Sequence, residues 1–137
     1  MESIRTAGPR ETEEAAARFA ETLEAGDVVL LSGEVGAGKT VFVRGACQAL
    51  GVTDAVTSPT YTIGQRYEAD IPVGHVDLYR LAAMESEEPG LLDPYFGDDV
   101  ICFVEWPKDA ESGLERITAR VELVHAGGDE REIHIER

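Results

Sequence analysis

Basic residues are scarce in this chain of 137 residues, which carries 12 lysines and arginines against 27 aspartates and glutamates, a net charge of −15. A surface of that sign repels nucleic-acid backbones, so we expect no unaided binding to DNA or RNA. The same acidity is typical of soluble, salt-adapted surfaces, and by itself it indicates no particular partner.

Long apolar runs are missing as well. No stretch approaches the ~18 consecutive apolar residues of a membrane span, and the opening residues, MESIRTAGPRETEE, lack the basic-then-apolar order of a secretory signal. We therefore expect a cytoplasmic protein that does not associate with membranes. Because 43% of the residues are hydrophobic and single domains commonly have ~100–200 residues, we predict one domain over residues 1–137.

Cysteine and asparagine are the other shortages. The two cysteines, Cys47 and Cys102, and the three histidines show no metal-like spacing, which favours two reduced core thiols over a disulfide or a zinc site. The chain contains no asparagine. It therefore lacks the N-K-x-D type of motif with which a GTPase switch would read guanine.

The apolar pattern predicts helices and strands in a mixed order. Residues 11–25, ETEEAAARFAETLEA, place Ala16, Phe19, Ala20 and Leu23 on one helical face, and Gly26 is predicted to end that helix. The other predicted elements are a buried strand at 27–32, a helix at 39–50 ended by Gly51, strands at 60–68, 73–78 and 100–105, a turn at 69–72, a short helix and loop at 82–96, and a hairpin of 119–126 and 131–136 around Gly127-Gly128. This order predicts a mixed sheet with flanking helices.

Residues 33–40, GEVGAGKT, match the phosphate-binding pattern G-x-x-x-x-G-K-[ST]. Glycines let the backbone curl so that N–H groups point at phosphate oxygens, and the helix that follows adds its positive end. Lys39 is expected to reach the β- and γ-phosphates, and the Thr40 hydroxyl to bind Mg²⁺. The residues assigned to this cradle are Gly33, Glu34, Val35, Gly36, Ala37, Gly38, Lys39 and Thr40, with Val41 directly after them.

A carboxylate ends the apolar run at 100–105, in the stretch CFVEWP. A nucleotide-bound Mg²⁺ needs a carboxylate, held directly or through water, from the end of a neighbouring buried strand. Glu105 is the best-placed candidate, and Pro107 stops the strand just beyond it. The alternative is a glutamate at the rim of the core in an ordinary surface ion pair.

Two further stretches carry candidate site residues. Ser58 and Thr60, in SPTYT, lie where a loop enters the predicted strand at 60–68, and their hydroxyls can sense a γ-phosphate. The same residues are also typical of a simple turn. In HVDLYR, the alternation places Asp77 on one strand face with His75 and Tyr79. Asp77 is then either a second carboxylate near Mg²⁺, or the group that orients water, or part of a solvated strand face.

Several classes of nucleotide-binding protein fit these motifs. A small-molecule kinase usually has a lid with several arginines, but only Arg80 stands near a candidate loop. A GTPase is disfavoured by the missing asparagine. Three interpretations stay open: an ATPase subunit that serves a partner complex, a free-standing P-loop phosphotransferase that acts on a small metabolite, and a nucleotide-dependent binding module with negligible turnover.

Taken together, GEVGAGKT, SPTYT, HVDLYR and VEWP resemble, in order and spacing, the bacterial TsaE (YjeE) family, and the likeness spans nearly the whole chain. The resemblance implies an α/β, P-loop NTPase-like three-layer fold, with a mixed, largely parallel β-sheet flanked by helices and a C-terminal β-hairpin. It implies an ATP- and Mg²⁺-dependent ATPase, weak alone, that supports tRNA threonylcarbamoyladenosine modification by acting on the TsaB–TsaD pair. Contact with tRNA would be only indirect, through that complex.

The resemblance also implies roles for single residues. Lys39 and Thr40 would contact phosphate and Mg²⁺, Glu105 would be a Mg²⁺ ligand, and Asp77 would be needed for hydrolysis. Ser58 to Thr60 would form a switch-like loop, and Trp106 would be either a core aromatic or a residue beside the nucleotide or the partner. Two segments would approach the adenine: the turn from Gly127 to Asp129, which includes Gly128, and the start of the first helix near Glu11 to Glu13. Val41 departs from the pattern, since many family members have a second threonine there.

Overall fold

The structure, a computed structural model, describes residues 2–34, 37–53, 56, 64–77, 97–105 and 117–137, apart from the side chain of Asp77. Seven strands and two helices lie within these ranges. Their bounds are β1 Glu2–Thr6, α1 Pro9–Ala20, β2 Val28–Gly33, α2 Lys39–Ala49, β3 Gly64–Tyr67, β4 Val73–Asp77, β5 Ile101–Glu105, β6 Ala119–His125 and β7 Arg131–Glu136.

The strands form a single sheet in the order β1-β7-β6-β2-β5-β4-β3. The four central strands β6, β2, β5 and β4 pair in parallel. The pairs β3–β4, β6–β7 and β1–β7 are antiparallel and extend the sheet at both edges. The predicted mixed sheet and C-terminal hairpin are therefore confirmed.

Both helices cover one face of this sheet. Phe19 of α1 and Phe42 of α2 meet with their ring centroids 5.8 Å apart, a separation at which aromatic pairs attract. The same apolar cluster takes in alternate residues of the strands, among them Val29, Leu31, Phe103, Val121, Leu123 and Ile133. The opposite face is buried too, since Val76, Cys102 and Val104 are at most 1% exposed.

The first helix has different bounds from those predicted. It begins at Pro9 rather than at residue 11, because proline suits the first helical position, where its missing N–H removes no helical bond. It ends at Ala20 because Thr22 donates from both its backbone N–H and its hydroxyl to the Phe19 carbonyl, which tightens the chain into a turn. Gly26 lies beyond that turn and donates to Val100 instead of capping the helix.

Strand β1 is absent from the sequence-based prediction. It has few inward apolar residues, and its register partners lie in β7, for example Ile4 opposite Ile133. Thr6, at its end, is buried and shares a 2.7 Å hydrogen bond with Thr12 of α1. The strand partners of β1 lie at the far end of the chain, so the local pattern does not reveal the strand.

The other predicted elements within the described ranges are confirmed, with small shifts at their ends. The start of the predicted strand at 60–68, the end of that at 73–78 and the predicted helix and loop at 82–96 lie outside the described residues. Neither described helix is long and apolar enough to cross a membrane.

Helices α1 and α2 approach each other closely at Gly45. A Cβ added to Gly45 would lie 2.4 Å from the carbonyl oxygen of Glu13 and 2.5 Å from its Cα. Backbone atoms cannot move aside as the end of a flexible side chain can. A larger residue at this position would therefore force the two helices apart.

We predict that Gly45→Ala lowers the free energy of unfolding by about 1–3 kcal/mol, the usual cost of overpacking. Helix propensity alone would act in the opposite direction, by up to about 1 kcal/mol. Urea unfolding followed by circular dichroism measures the change. Gln48→Ala, at an exposed position of the same helix, is the control and should shift stability by less than about 0.5 kcal/mol. A Gly45→Ala protein as stable as the wild type would contradict the close approach.

Both cysteines are free and buried, as predicted. Burial raises the pKa of Cys47 from 9.0 to about 12, and it raises the pKa of Cys102 further. The physical cause is loss of solvation for the thiolate. Since the thiolate is the reactive form, neither thiol is suited to redox or nucleophilic chemistry.

We predict that both thiols resist alkylation at pH 8 while the protein is folded. Because each pKa unit is a tenfold change, the thiolate population of Cys47 should be about a thousandth of that of an ordinary cysteine. Mass spectrometry after iodoacetamide treatment measures labelling, and both cysteines should be labelled once the chain is unfolded. Gln48→Cys supplies an exposed control thiol. Labelling of Cys47 as fast as that of the control would refute the burial argument.

Candidate functional site

The candidate site begins where β2 ends. Gly33, the last residue of β2, has a φ of +152°, and an added Cβ would lie 2.7 Å from the Leu123 carbonyl oxygen of the neighbouring strand. A side chain at this position would be strained and would clash with backbone. Glycine therefore lets the chain leave the sheet against β6 and enter the loop.

Helix α2 begins at the other end of the loop. Gly38 precedes it with a φ of +103°, provides no side-chain cap, and accepts the first helical hydrogen bond from Phe42 at 2.9 Å. The first turn contains no acidic residue, and it begins with the partly exposed Lys39 and Thr40. Uncapped N–H groups, the helix dipole and an ammonium group together suit an anion.

The loop between these points is described only in part. Glu34 is exposed, and its carbonyl accepts a 3.0 Å hydrogen bond from the N–H of buried Ala37. Val35 and Gly36 lie outside the described residues. The predicted contacts of Ser58, Thr60 and Trp106 lie outside them as well, so for these residues the predictions stay predictions.

Glu105 ends β5, directly beside β2. Its register partner on β2 is Leu31, two residues before the loop begins. Its side chain is only about 8% exposed, and its Oε2 lies 3.4 Å from Nε2 of His75. The carboxylate is therefore buried rather than solvent-exposed, and burial of a charge is costly without a compensating partner. Its role as a Mg²⁺ ligand stays a prediction.

His75 contributes to the same region and was not predicted as a site residue. Its side chain is fully buried, and Nε2 is in contact with Glu105, but neither ring nitrogen makes a hydrogen bond of good geometry with a described residue. Buried polar atoms without hydrogen bonds are uncommon, and a catalytic role or a bound water or ion is among the explanations for them. Its burial also excludes a solvated strand face at this position. The sequence signal that could have found it is the alternation His75-Val76-Asp77 along a buried strand.

Asp77 is brought beside Glu105 by the sheet register. The two residues are partners in the parallel pair β4–β5, and each is the last residue of its strand. Carboxyl ends of parallel strands meet at one edge of a sheet, where ligands commonly bind. The backbone thus places both predicted carboxylate residues at the edge from which the loop begins.

The β6–β7 hairpin closes another side of the site. A pocket next to the start of α2 is lined by Pro9, Thr12, Gly38, Val41, Asp129 and Arg131. The hairpin turn and the start of α1, both predicted to approach the adenine, therefore meet beside the loop. Val41, a departure from the family pattern, supplies an apolar part of the pocket wall.

Arg131 was missed by sequence reasoning. Its Nε donates to the Ala37 carbonyl at 3.1 Å, while its Nη1 donates at 2.8 Å to the carbonyls of both Gly128 and Glu130. The side chain therefore joins the loop before α2 to the turn of the hairpin. Only the folded sheet brings these segments together, since Ala37 and Arg131 are 94 positions apart.

The amino-acid sequence of this chain matches a known protein family over nearly the whole length of the chain. The family model described as threonylcarbamoyl adenosine biosynthesis protein TsaE matches residues 6–133. The chain belongs to the TsaE family. Members of this family are named for tRNA threonylcarbamoyladenosine biosynthesis, and the resemblance inferred from the motifs is confirmed.

Individual relatives support the assignment to this family. The tRNA threonylcarbamoyladenosine biosynthesis protein TsaE of Bacillus subtilis is 42% identical over 130 residues, covering 94% of this chain and 81% of the relative. The protein of the same name from Streptomyces coelicolor is 43% identical over 116 residues, covering 82% and 78%. That of Treponema pallidum is 37% identical over 114 residues, covering 82% and 84%.

A solved structure is also similar. The crystal structure of Bacillus subtilis YdiB superposes with a TM-score of 0.73 at 36% identity, covering 96% of this chain and 82% of that chain. Together with the strand–loop–helix geometry at Gly33 and Gly38, this likeness confirms the predicted P-loop fold. We refer to residues 33–40 below as the P-loop.

Proposed function

We propose that this TsaE-family chain is a cytoplasmic Mg²⁺-dependent ATPase, weak by itself, that supports tRNA threonylcarbamoyladenosine modification by acting on a complex of TsaB and TsaD. The observation that carries the proposal is the position of the P-loop. The P-loop begins at the end of β2. On one side of it lies the uncapped N-terminus of α2, and on the other lie the ends of β5 and β4, at Glu105 and Asp77. Membership of the family supports the pathway.

Phosphate binding is assigned to the start of α2. The ammonium group of Lys39 would neutralise phosphate charge, and the N–H groups of the first turn would donate to phosphate oxygens. Because the chain carries a net charge of −15, long-range attraction does not favour an anion. Binding must therefore depend on short-range donors at the loop itself.

The residues present fit a magnesium ion. Thr40 lies in the first turn of α2, and Glu105 ends β5, the strand beside β2. Their hydroxyl and carboxylate are oxygen donors of the kind that Mg²⁺ takes. The buried ring of His75, 3.4 Å from Glu105, is proposed to orient that carboxylate. When bound, the ion would offset the charge that develops on the β- and γ-phosphates.

Asp77 is assigned to hydrolysis. As the last residue of β4 beside Glu105, it is proposed to hold the attacking water and accept its proton. Ser58 and Thr60 are proposed to sense the γ-phosphate, and Trp106 to lie beside the nucleotide or the partner. In this scheme the chain makes no contact with tRNA except through the complex.

The test compares ATP hydrolysis by this protein alone with hydrolysis after addition of purified TsaB and TsaD, both with Mg²⁺. We expect slow turnover alone and at least about tenfold faster turnover with the pair, since tenfold corresponds to only about 1.4 kcal/mol of barrier. Lys39→Ala should lose at least about tenfold of the stimulated rate, because charge-assisted phosphate contacts contribute about 1.5–3 kcal/mol. Arg18→Ala, which removes one positive charge from an exposed position of α1, should retain the rate.

The alternatives give different results in the same assay. ATP turnover that depends on a small metabolite and not on the two proteins would indicate a phosphotransferase. Nucleotide binding without turnover in any mixture would indicate a binding module. Full stimulation of Lys39→Ala would remove the phosphate-binding assignment.

A second prediction concerns Glu105→Gln, which keeps the size of the side chain but removes its charge. We expect the Mg²⁺ concentration for half-maximal ATP hydrolysis to rise about tenfold or more, because a metal ligand loses its negative charge. A magnesium titration of the stimulated rate measures this. Glu136→Gln, at an exposed position of β7, is the control and should leave the titration unchanged. An unchanged titration for Glu105→Gln, accompanied by lower folding stability, would make Glu105 a structural residue only.

A further inference from the structure

Arg131 holds two chain segments that the sheet brings side by side. It is the first residue of β7, and its guanidinium reaches across the neighbouring hairpin turn to the P-loop. On the P-loop side it contacts the carbonyl of Ala37, and on the hairpin side the carbonyls of Gly128 and Glu130. Its Nε also lies 4.0 Å from the position of a Cβ added to Gly38, directly against the start of α2.

Arginine suits this position for a geometric reason. Its N–H donors lie in one rigid plane, so a single side chain can donate in two fixed directions at once. Hydrogen bonds from a charged donor are also stronger than those between neutral groups. A lysine would provide a point charge without the fork. The bonds at 2.8–3.1 Å are therefore specific to the guanidinium.

The contact with Ala37 determines how one peptide group of the P-loop is oriented. A trans peptide is planar, and its C=O and N–H point in opposite directions. When Arg131 holds the Ala37 oxygen, the Gly38 N–H must point away from Arg131. The preceding peptide is held separately, because the Ala37 N–H donates to the Glu34 carbonyl at 3.0 Å.

Without this contact, little in the local sequence would hold the peptide in place. Gly38 has no side chain and occupies a φ of +103°, and glycine changes its backbone angles at lower cost than other residues. In a phosphate cradle, each N–H must already face the anion, or binding incurs the cost of reorienting it.

We propose that Arg131 is a positioning residue, which fixes the Ala37–Gly38 peptide so that the P-loop is organised for the phosphates of a nucleoside di- or triphosphate. The inference rests on the proposed nucleotide-binding function. It adds a role for the β6–β7 hairpin, because the turn between these strands anchors the same guanidinium. The hairpin thus supports the P-loop through one side chain.

The test uses Arg131→Gln and Arg131→Lys in the full chain, with Arg5→Gln as the matched control. Arg5 also contacts the hairpin, through Ala126 at 3.5 Å and Glu130 at 3.7 Å, and neither of these two contacts is with the P-loop. Isothermal titration calorimetry measures the Kd for ADP with Mg²⁺. Thermal unfolding and the amide chemical shift of Gly38 in the nucleotide-free protein are recorded for each variant.

We expect Arg131→Gln to weaken ADP binding about tenfold, in line with about 1.4 kcal/mol for each tenfold change. Arg131→Lys, which keeps the charge but not the fork, should also weaken binding, by at least about threefold. Arg5→Gln should bind ADP as the wild type does. The Gly38 amide resonance should move in both Arg131 variants and stay in place in Arg5→Gln. A purely structural role for Arg131 would lower thermal stability without these changes.

Two results would overturn the inference. One is wild-type ADP affinity in folded Arg131→Gln, or in Arg131→Lys if the glutamine variant does not fold. The other is a pair of observations: Arg131→Gln loses affinity for ADP, while Arg131→Lys binds ADP like the wild type and its Gly38 amide resonance does not move. That result would indicate simple charge attraction. Lys39→Ala distinguishes a failure of this inference from a failure of the proposed function. If it binds ADP weakly while the Arg131 variants bind normally, only the inference fails, whereas wild-type binding by Lys39→Ala would refute the proposed function itself.

Discussion

Strand β2 is hydrogen-bonded in parallel to β5 on one side and to β6 on the other, and the site depends on this pairing. Parallel pairing directs the carboxyl ends of β2, β5 and β4 to the same edge of the sheet. At that edge, the P-loop leaves β2 beside the last residues of its neighbours, Glu105 and Asp77. On the other side, β6 passes so close that only glycine fits at position 33. The loop is thus fixed at its start by the sheet and at its end by α2.

Helix α2 in turn is held by burial. Phe42, Val43, Ala46 and Cys47 are fully buried against the sheet and α1, and removing such apolar surface from water is the main favourable term in folding. The close crossing at Gly45 brings α1 near enough for its first turn to line the pocket beside the P-loop. Packing on the helix face therefore positions the N-terminus of α2 at the edge of the sheet.

The sequence predicted the main elements of this arrangement because their signals are local. The apolar run of β2, the glycines of the P-loop, the helix ended by Gly51 and the Gly127-Gly128 turn all lie in short stretches with clear periodicity or turn chemistry. The start of α1 was misplaced because Pro9 precedes its apolar pattern, and its end was misplaced because Thr22 binds back to Phe19. Strand β1 was missed because β7 stabilises it, from the far end of the chain.

By itself, the sequence determined which groups are available for chemistry: a P-loop with Lys39 and Thr40, and carboxylates at the ends of apolar strands. The tertiary structure decided which of these groups are neighbours. It placed Glu105 beside β2, buried His75 against Glu105, and brought Arg131 to the Ala37 carbonyl. The physical reason is that backbone periodicity and glycine geometry depend on adjacent residues. Contacts across a sheet depend instead on strand order and register, which are set by the burial and hydrogen bonding of the whole fold.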